Sequence, residues 1–257
     1  MGSFSGRTTV QTSTARVVLG VLGVHLWSAG LLVMVRETDN PLVAVLAGPL
    51  YMLPLSSMWE WLVHQYLYHR RFPGLQKINL IHNAGHHANI FPPTRYVQDG
   101  PYEHMRFRSP MKPWRLADSW LDNKLSSWSQ VLLHFVVGVP AILVPGWLLT
   151  GDLFFAGSSL ATLCIISWLL AYVHGSIHTP RDRLIEHMGW FQWLDRHHYI
   201  HHIDYAANLN FMMPICDVLF GSLKTELTEI EKARFPSFEE AKPMAKDIQQ
   251  PKVGEAL

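Results

Sequence analysis

Residues 153–173 read LFFAGSSLATLCIISWLLAYV and run without a break into HGSIH at 174–178. An uncharged run of this length, wound as an α-helix, reaches about 30 Å, the thickness of a bilayer's hydrocarbon core. His174 and His178 then stand four residues apart, separated by only about 40° around the axis, and so share one face. The stretch predicts a membrane span that delivers a pair of imidazoles to the membrane surface.

Three further runs have the same character. Residues 17–35 (VVLGVLGVHLWSAGLLVMV) and 41–62 (PLVAVLAGPLYMLPLSSMWEWL) flank the polar turn Arg36-Glu37-Thr38-Asp39-Asn40. Residues 129–149 (SQVLLHFVVGVPAILVPGWLL) meet residues 153–173 across Thr150-Gly151-Asp152. Turns this short between nearly uncharged runs favour spans over buried helices of a soluble bundle. The expected fold is all-α: four transmembrane helices in two hairpins, with a helical, histidine-rich, di-metal cap on one side. No charged n-region with a short apolar core and cleavage site precedes residue 17, so the first run is read as a retained span.

Lys and Arg set the orientation. Residues 63–128 carry nine and residues 174–257 carry nine, with Arg7 and Arg16 in the N-terminal arm, while the two short turns hold only Arg36. The positive-inside rule therefore makes the cap and both termini cytoplasmic. Within the middle segment, Trp114, Ala117, Leu121, Leu125 and Trp128 recur every three or four residues, as in a helix lying on the membrane. A core-facing helix of the cap fits that stripe nearly as well. Residues 1–223 read as one integral-membrane domain and 224–257 as a soluble C-terminal tail.

Composition excludes several classes. Of 257 residues, 49% are hydrophobic and 16% charged, and a net charge of +1 gives no basic patch for nucleic acid. Ten Trp and twelve Phe argue against disorder. Two Cys make no disulfide framework, and Cys164, within an apolar run, reads as packed.

Fifteen His are the unusual count, and ten fall into four boxes on the cytoplasmic side. These are His64-x4-His69, His82-x3-His86-His87, His174-x3-His178 and His198-x2-His201-His202. His198, His201 and His202 share a helix face. A separation of five turns His69 by about 140° from His64 on an α-helix, so either the pair reaches two centres or the helix unwinds there. Adjacent His pairs with i+3 or i+4 partners suit ligands shared between two nearby metals. Buried, unsatisfied imidazole nitrogens would cost about 1–3 kcal/mol each, and coordination removes that cost. Imidazole suits zinc, copper, iron and nickel alike, but ten His exceed the four ligands of a structural zinc site.

The four boxes, in this order and after the second and fourth spans, resemble the fatty acid hydroxylase/sterol desaturase superfamily of integral-membrane di-iron oxygenases. NFMMPICDVLFGSL at 210–223 is similar to the family's closing segment, with Cys216 where Trp is common and Ser222 where Thr is common. The resemblance implies that His64, His69, His82, His86, His87, His174, His178, His198, His201 and His202 ligate two Fe ions, with Zn as a possible substitute and O2 as co-substrate. His82-x3-His86-His87 departs from the usual H-x2-HH and looks more like the middle box of membrane alkane hydroxylases and acyl desaturases.

The remaining candidates have plainer readings. His25 and His134 lie inside spans, where a helix-to-helix hydrogen bond is the default. His197 competes with His198 through a 197-x3-201 spacing, with His198 favoured. Glu60 and Asp204 could each hold a ligand ring by accepting its second N–H, and Asp195 and Asp217 are comparable. No dinucleotide fingerprint and no Cys set for an iron–sulfur cluster is present, so electrons would come from an external ferredoxin- or cytochrome-type protein with its reductase. Arg70, Arg71, Arg106, Arg108 and Lys112 fit an acidic carrier, although positive-inside topology explains them equally. The leading expectation is a monooxygenase hydroxylating a lipid-like substrate (fatty acyl, sterol or related). Desaturation, or oxidation of a sterol, carotenoid, alkane or aldehyde, competes within the enzyme class, and a membrane metal transporter or sensor competes from outside it.

Overall fold

The structure is a computed structural model that describes residues 12–70, 73, 74, 76–80, 82, 134–178, 183–233, 235 and 237–239. Among them there are helices and turns and no strand. His86, His87, the side chain of His178 and the stripe from Trp114 to Trp128 lie outside the described residues.

Helix α1, Thr14–Arg36, starts where Ser13 Oγ accepts the Arg16 N–H, and it ends where the Glu37 N–H turns back to the Val33 carbonyl. Asn40 then caps α2, Pro41–Val63, by accepting the Leu42 N–H at 3.0 Å, with Pro41 at the first helical position, where its missing N–H costs nothing. The inward face of α1 is Val24, Ser28, Leu31 and Val35. Its outward face is just as apolar: Leu19, Leu22, Leu26 and Val33 are all exposed. A helix apolar on both faces, only one of them covered by protein, suits a lipid surround.

Short α3, Gln76–Leu80, follows the first box. Next in the described chain is α4, His134–Thr150, an apolar helix with a π-helical stretch at Val139–Leu143. Gly151, at φ +68°, closes it, and the Asp152 carboxylate accepts the Phe155 N–H at 2.8 Å to start α5, Leu153–His178. Three segments, Thr14–Arg36, Pro41–Tyr68 and Leu153–Ile177, are long and apolar enough to cross a membrane. Three of the expected spans are thus present, two of them running several residues further than the hydrophobic runs implied. The fourth expected span, 129–149, is represented by the shorter α4, because residues 129–133 are not described.

Helix α2 is the hub, packed against α1, α5 and, more lightly, α4. Pro54 removes the N–H that would meet the Leu50 carbonyl, and the Trp27 indole N–H of α1 donates to that carbonyl at 3.0 Å instead. On the other flank the Tyr51 hydroxyl donates to the Ile142 carbonyl beside the π stretch at 3.1 Å, and Gly146 leaves room for its ring.

Beyond the spans, α6 (Gly189–Ile203) follows a 3-10 turn at Leu184–His187. Its Phe191, Leu194, Tyr199 and Ile203 pack on Val173 and Ile177 of α5. Helix α7, Ile215–Phe220, returns beneath α1 and α2, where Arg16 donates to the Val218 and Leu219 carbonyls at 2.8 and 3.0 Å. These are the carbonyls that a helix end leaves without a partner. The following segment also packs on the cap, through Leu227, Phe235 and Phe238. Lys224 donates to Asp204 at 2.8 Å and to Glu231 of α8 (Glu229–Lys232) at 2.7 Å.

Gly48 marks the closest approach of α2 and α5: a Cβ there would lie 2.8 Å from the Ser159 nitrogen and would overlap Ser158 Oγ. Gly48→Val should therefore lower the thermal unfolding midpoint in detergent by several degrees, the consequence of about 1–3 kcal/mol of overpacking. Gly23→Val, whose Cβ would meet nothing within 4 Å, should stay within about 1 kcal/mol of the parent. Equal melting of both variants would place the α2–α5 contact elsewhere.

Candidate metal centre

The first box lies in a π-helical turn, His64–Tyr68, that continues α2. The His69 N–H bonds to the His64 carbonyl at 3.1 Å, five residues back. That wider turn returns His69 to the face of His64, and the two rings stack 4.9 Å apart at 13°. Of the two alternatives the spacing allowed, the helix unwinds. Both rings therefore reach one centre.

There His64 and His69 meet His82 and His201. One ring nitrogen from each lies within 4.8 Å of the others, a set that could hold a metal ion. His64 Nε2 is 3.1 Å from His82 Nε2, and His69 Nε2 is 3.3 Å from His201 Nε2. Carbonyl partners fix two of the tautomers. His64 Nδ1 lies 2.7 Å from the Leu209 carbonyl and His201 Nδ1 lies 2.8 Å from the Ala207 carbonyl. A carbonyl only accepts, so both Nδ1 atoms carry the proton, and each neutral ring keeps its lone pair on Nε2, facing the cluster.

A second group of rings adjoins the first. His174, at the end of α5, has its ring centroid 4.9 Å from that of His198, and His198 Nε2 is 3.1 Å from His202 Nε2. His201 lies between the two groups, with centroids 5.8 Å from His198 and 4.5 Å from His64. His197 turns the other way: its Nε2–H donates to the Asn210 carbonyl at 2.9 Å and its ring stacks on Trp193. His198, not His197, therefore stands among the box histidines.

The loop at 204–217 aims the rings. Asp217, fully buried, accepts the Leu209 N–H at 2.8 Å, the Asn210 N–H at 2.9 Å and the Ser222 hydroxyl at 2.6 Å. Asn208 sits at φ +53° and bridges outward, donating to the His197 and Lys224 carbonyls at 2.9 Å each. Glu60 accepts the Phe211 N–H at 2.9 Å and the Asn210 amide at 3.4 Å. Asp204 accepts from Lys224 and from the Ala206 N–H. These carboxylates shape the loop that carries the carbonyls rather than being the acceptors seen at His64 and His201. Sequence reading had no signal for the carbonyls of Ala207 and Leu209. It also passed over three rings: Tyr68 stacks on His82 at 4.6 Å, Tyr205 on His69 at 5.6 Å, and Phe211 meets both His174 and His198 edge-on.

Burial pushes His201 down to about 4, with smaller opposing help from the Ala207 hydrogen bond. The ring is neutral at neutral pH, as a metal ligand must be. Among the other candidates, His134 Nδ1 lies 3.3 Å from Ser167 Oγ on α5, a helix-to-helix contact. His25 bonds instead within its own helix, to the Val21 carbonyl at 2.8 Å. Cys164, expected to be packed, is exposed on the outer face of α5, because an apolar residue of a membrane helix has no need of a protein neighbour. Cys216 is the packed one, and burial pushes its thiol up to about 12.

No family model matches the chain, and no curated protein or solved structure matches it. The described residues themselves support a helical membrane protein with a buried histidine cluster able to hold a metal.

Two outcomes follow for the site. Above about pH 7.5 His201 is neutral in both folded and unfolded chains and adds no pH dependence. Between there and about 4 the unfolded chain takes up the proton first, so stability of the chelator-treated protein should fall by up to about 1.4 kcal/mol per pH unit from this ring. His201→Gln should remove this ring's share of that slope, measured as the unfolding midpoint from pH 7 to 4. Asp217→Ala strips three hydrogen bonds from the loop and should cost at least about 3 kcal/mol. It should also lower the metal retained after dialysis, read by elemental analysis; unchanged retention would separate the loop from the rings.

Proposed function

We propose that the chain is an O2-dependent di-iron oxygenase that hydroxylates an unactivated C–H bond of a lipid-like substrate (fatty acyl, sterol or related) taken from the membrane. The observation that carries this reading is the gathering of seven box histidines into two adjoining groups at one end of the bundle. An all-imidazole donor set, buried at His64 and His201 and with the lone pairs of those two rings turned inward, fits divalent iron. His64, His69, His82 and His201 would hold one ion, and His174, His198 and His202 the other, with His86, His87 and His178 completing the set by their place in the boxes. The resemblance of those boxes to the fatty acid hydroxylase/sterol desaturase superfamily supports the choice of iron and of hydroxylation. Bound there, the ions would supply O2 activation and hydrogen abstraction from an aliphatic carbon.

The chain's own contribution is depth, orientation and dryness. Counted at 1.5 Å per residue, His64 lies about 35 Å along α2 from Pro41, and His174 about 32 Å along α5 from Leu153. A hydrocarbon core about 30 Å thick ends just short of both. The rings thus stand where the top of a lipid tail would meet them, rather than at the midplane position favoured for a transporter's ligands. Tyr68, Tyr205 and Phe211 wall the imidazoles with aromatic surface, which excludes water from the groups they must keep neutral. Electrons would arrive from an external ferredoxin- or cytochrome-type carrier at the cytoplasmic face.

Purified protein should hold about two iron ions per chain, one for each group of rings. With a chemical reductant and membrane lipid it should take up O2 and release a product heavier by one oxygen atom. His174→Ala should abolish uptake while the chain remains membrane-inserted. Metal flux across vesicles without O2 uptake would overturn the proposal in favour of transport, and a product lighter by two hydrogens would make the reaction desaturation.

A further inference from the structure

We infer that the outer face of α6 is a membrane-surface contact, and that the cap rests on the bilayer through Leu184, Met188, Trp190 and Trp193. All four are exposed, Leu184 at 83% and the others at 42–46%, although they belong to the cap and not to a span. The adjoining face of α6 carries Phe191 and Leu194 against Val173 and Ile177, the last turns of α5, and His198 lies against His174. These contacts fix the depth of α6: it lies alongside the end of a membrane-spanning helix and not further out in water. On α5, within two turns of His174, Trp168 and Tyr172 are also exposed, and they stack 5.3 Å apart at 4°.

At that depth the neighbouring phase is the headgroup layer, and the outer face has the chemistry for it. Besides the four apolar side chains, the exposed positions from 184 to 196 are His187, Gly189, Gln192 and Arg196, whose guanidinium is paired with the exposed Glu239 carboxylate. Trp rings beside polar groups match the headgroup boundary, where an amphipathic helix sinks its apolar face by about 5–10 Å. A lipid surface is therefore the occupant. The inference rests on α5 being a membrane helix and is independent of the oxygenase reading, so its test needs no turnover.

Full-length protein carrying Cys164→Ser, which leaves only the buried Cys216 thiol, is reconstituted in phosphatidylcholine–phosphatidylglycerol vesicles. A fluorophore is attached through Trp190→Cys, Trp193→Cys or, as a water-exposed reference, Glu229→Cys on α8. Lipids bearing an acyl-chain nitroxide should quench the labels at 190 and 193 and spare the one at 229. Aqueous iodide should act on the order of tenfold more weakly at 190 and 193 than at 229, as expected for a face sunk in the headgroup boundary. Equal iodide quenching at all three sites overturns the inference. So does self-quenching at 193 that disappears on dilution with unlabelled protein, which would put a second copy on this face. Should the cysteine variants fail to fold, Trp190→Phe with Trp193→Phe, read by native fluorescence in brominated lipid, decides it. The quenchable emission should fall in that double variant, and no change overturns the inference.

Discussion

Two hydrogen bonds, from His64 Nδ1–H to the Leu209 carbonyl and from His201 Nδ1–H to the Ala207 carbonyl, decide which nitrogen of each ring keeps a lone pair. Imidazole has two equivalent ways to be neutral, and a metal site needs one of them at every ligand. Backbone carbonyls do this well because they accept and never donate, and because their position is set by a loop rather than by a rotamer. That loop is in turn tied down by Asp217, whose carboxylate gathers two backbone N–H groups and one hydroxyl, and by Glu60 of α2. A buried carboxylate without such donors would be costly, so each acidic group is held in place by the backbone it organises.

The membrane helices serve the same end. Helix α2 carries one box directly on its π turn and α5 carries another on its last turn, so their mutual packing sets the distance between two groups of rings. Gly48 lets them approach closely. Helix α6 closes the site from the side, with its inner face divided between apolar contacts to α5 and the imidazoles.

Much of this was legible in the sequence because it depends on periodicity. Nearly uncharged runs of span length gave α1, α2 and α5, and the third box placed His174 at the end of a span. The i+5 pair was ambiguous for a good reason: whether a helix widens into a π turn depends on what waits beside it, and His82 and His201 are brought in from other parts of the chain. His197 and His198 could not be separated firmly by spacing either, since the choice is made by Trp193 and Asn210 drawing one ring away. The carbonyls of Ala207 and Leu209 were invisible in principle, because every residue has a carbonyl. Exposure of Cys164 reverses a rule borrowed from water-soluble proteins, where an apolar neighbourhood means a protein neighbourhood.

The Trp27 indole bonded to the carbonyl released by Pro54 has a bearing on how the chain is made. A helix entering oil alone would carry that bare oxygen into a medium with nothing to offer it. The first helix already holds the missing donor when the second emerges from the ribosome. The two are therefore suited to leave the translocon together, as a pair, and a chain shortened by its first helix would handicap the insertion of its second.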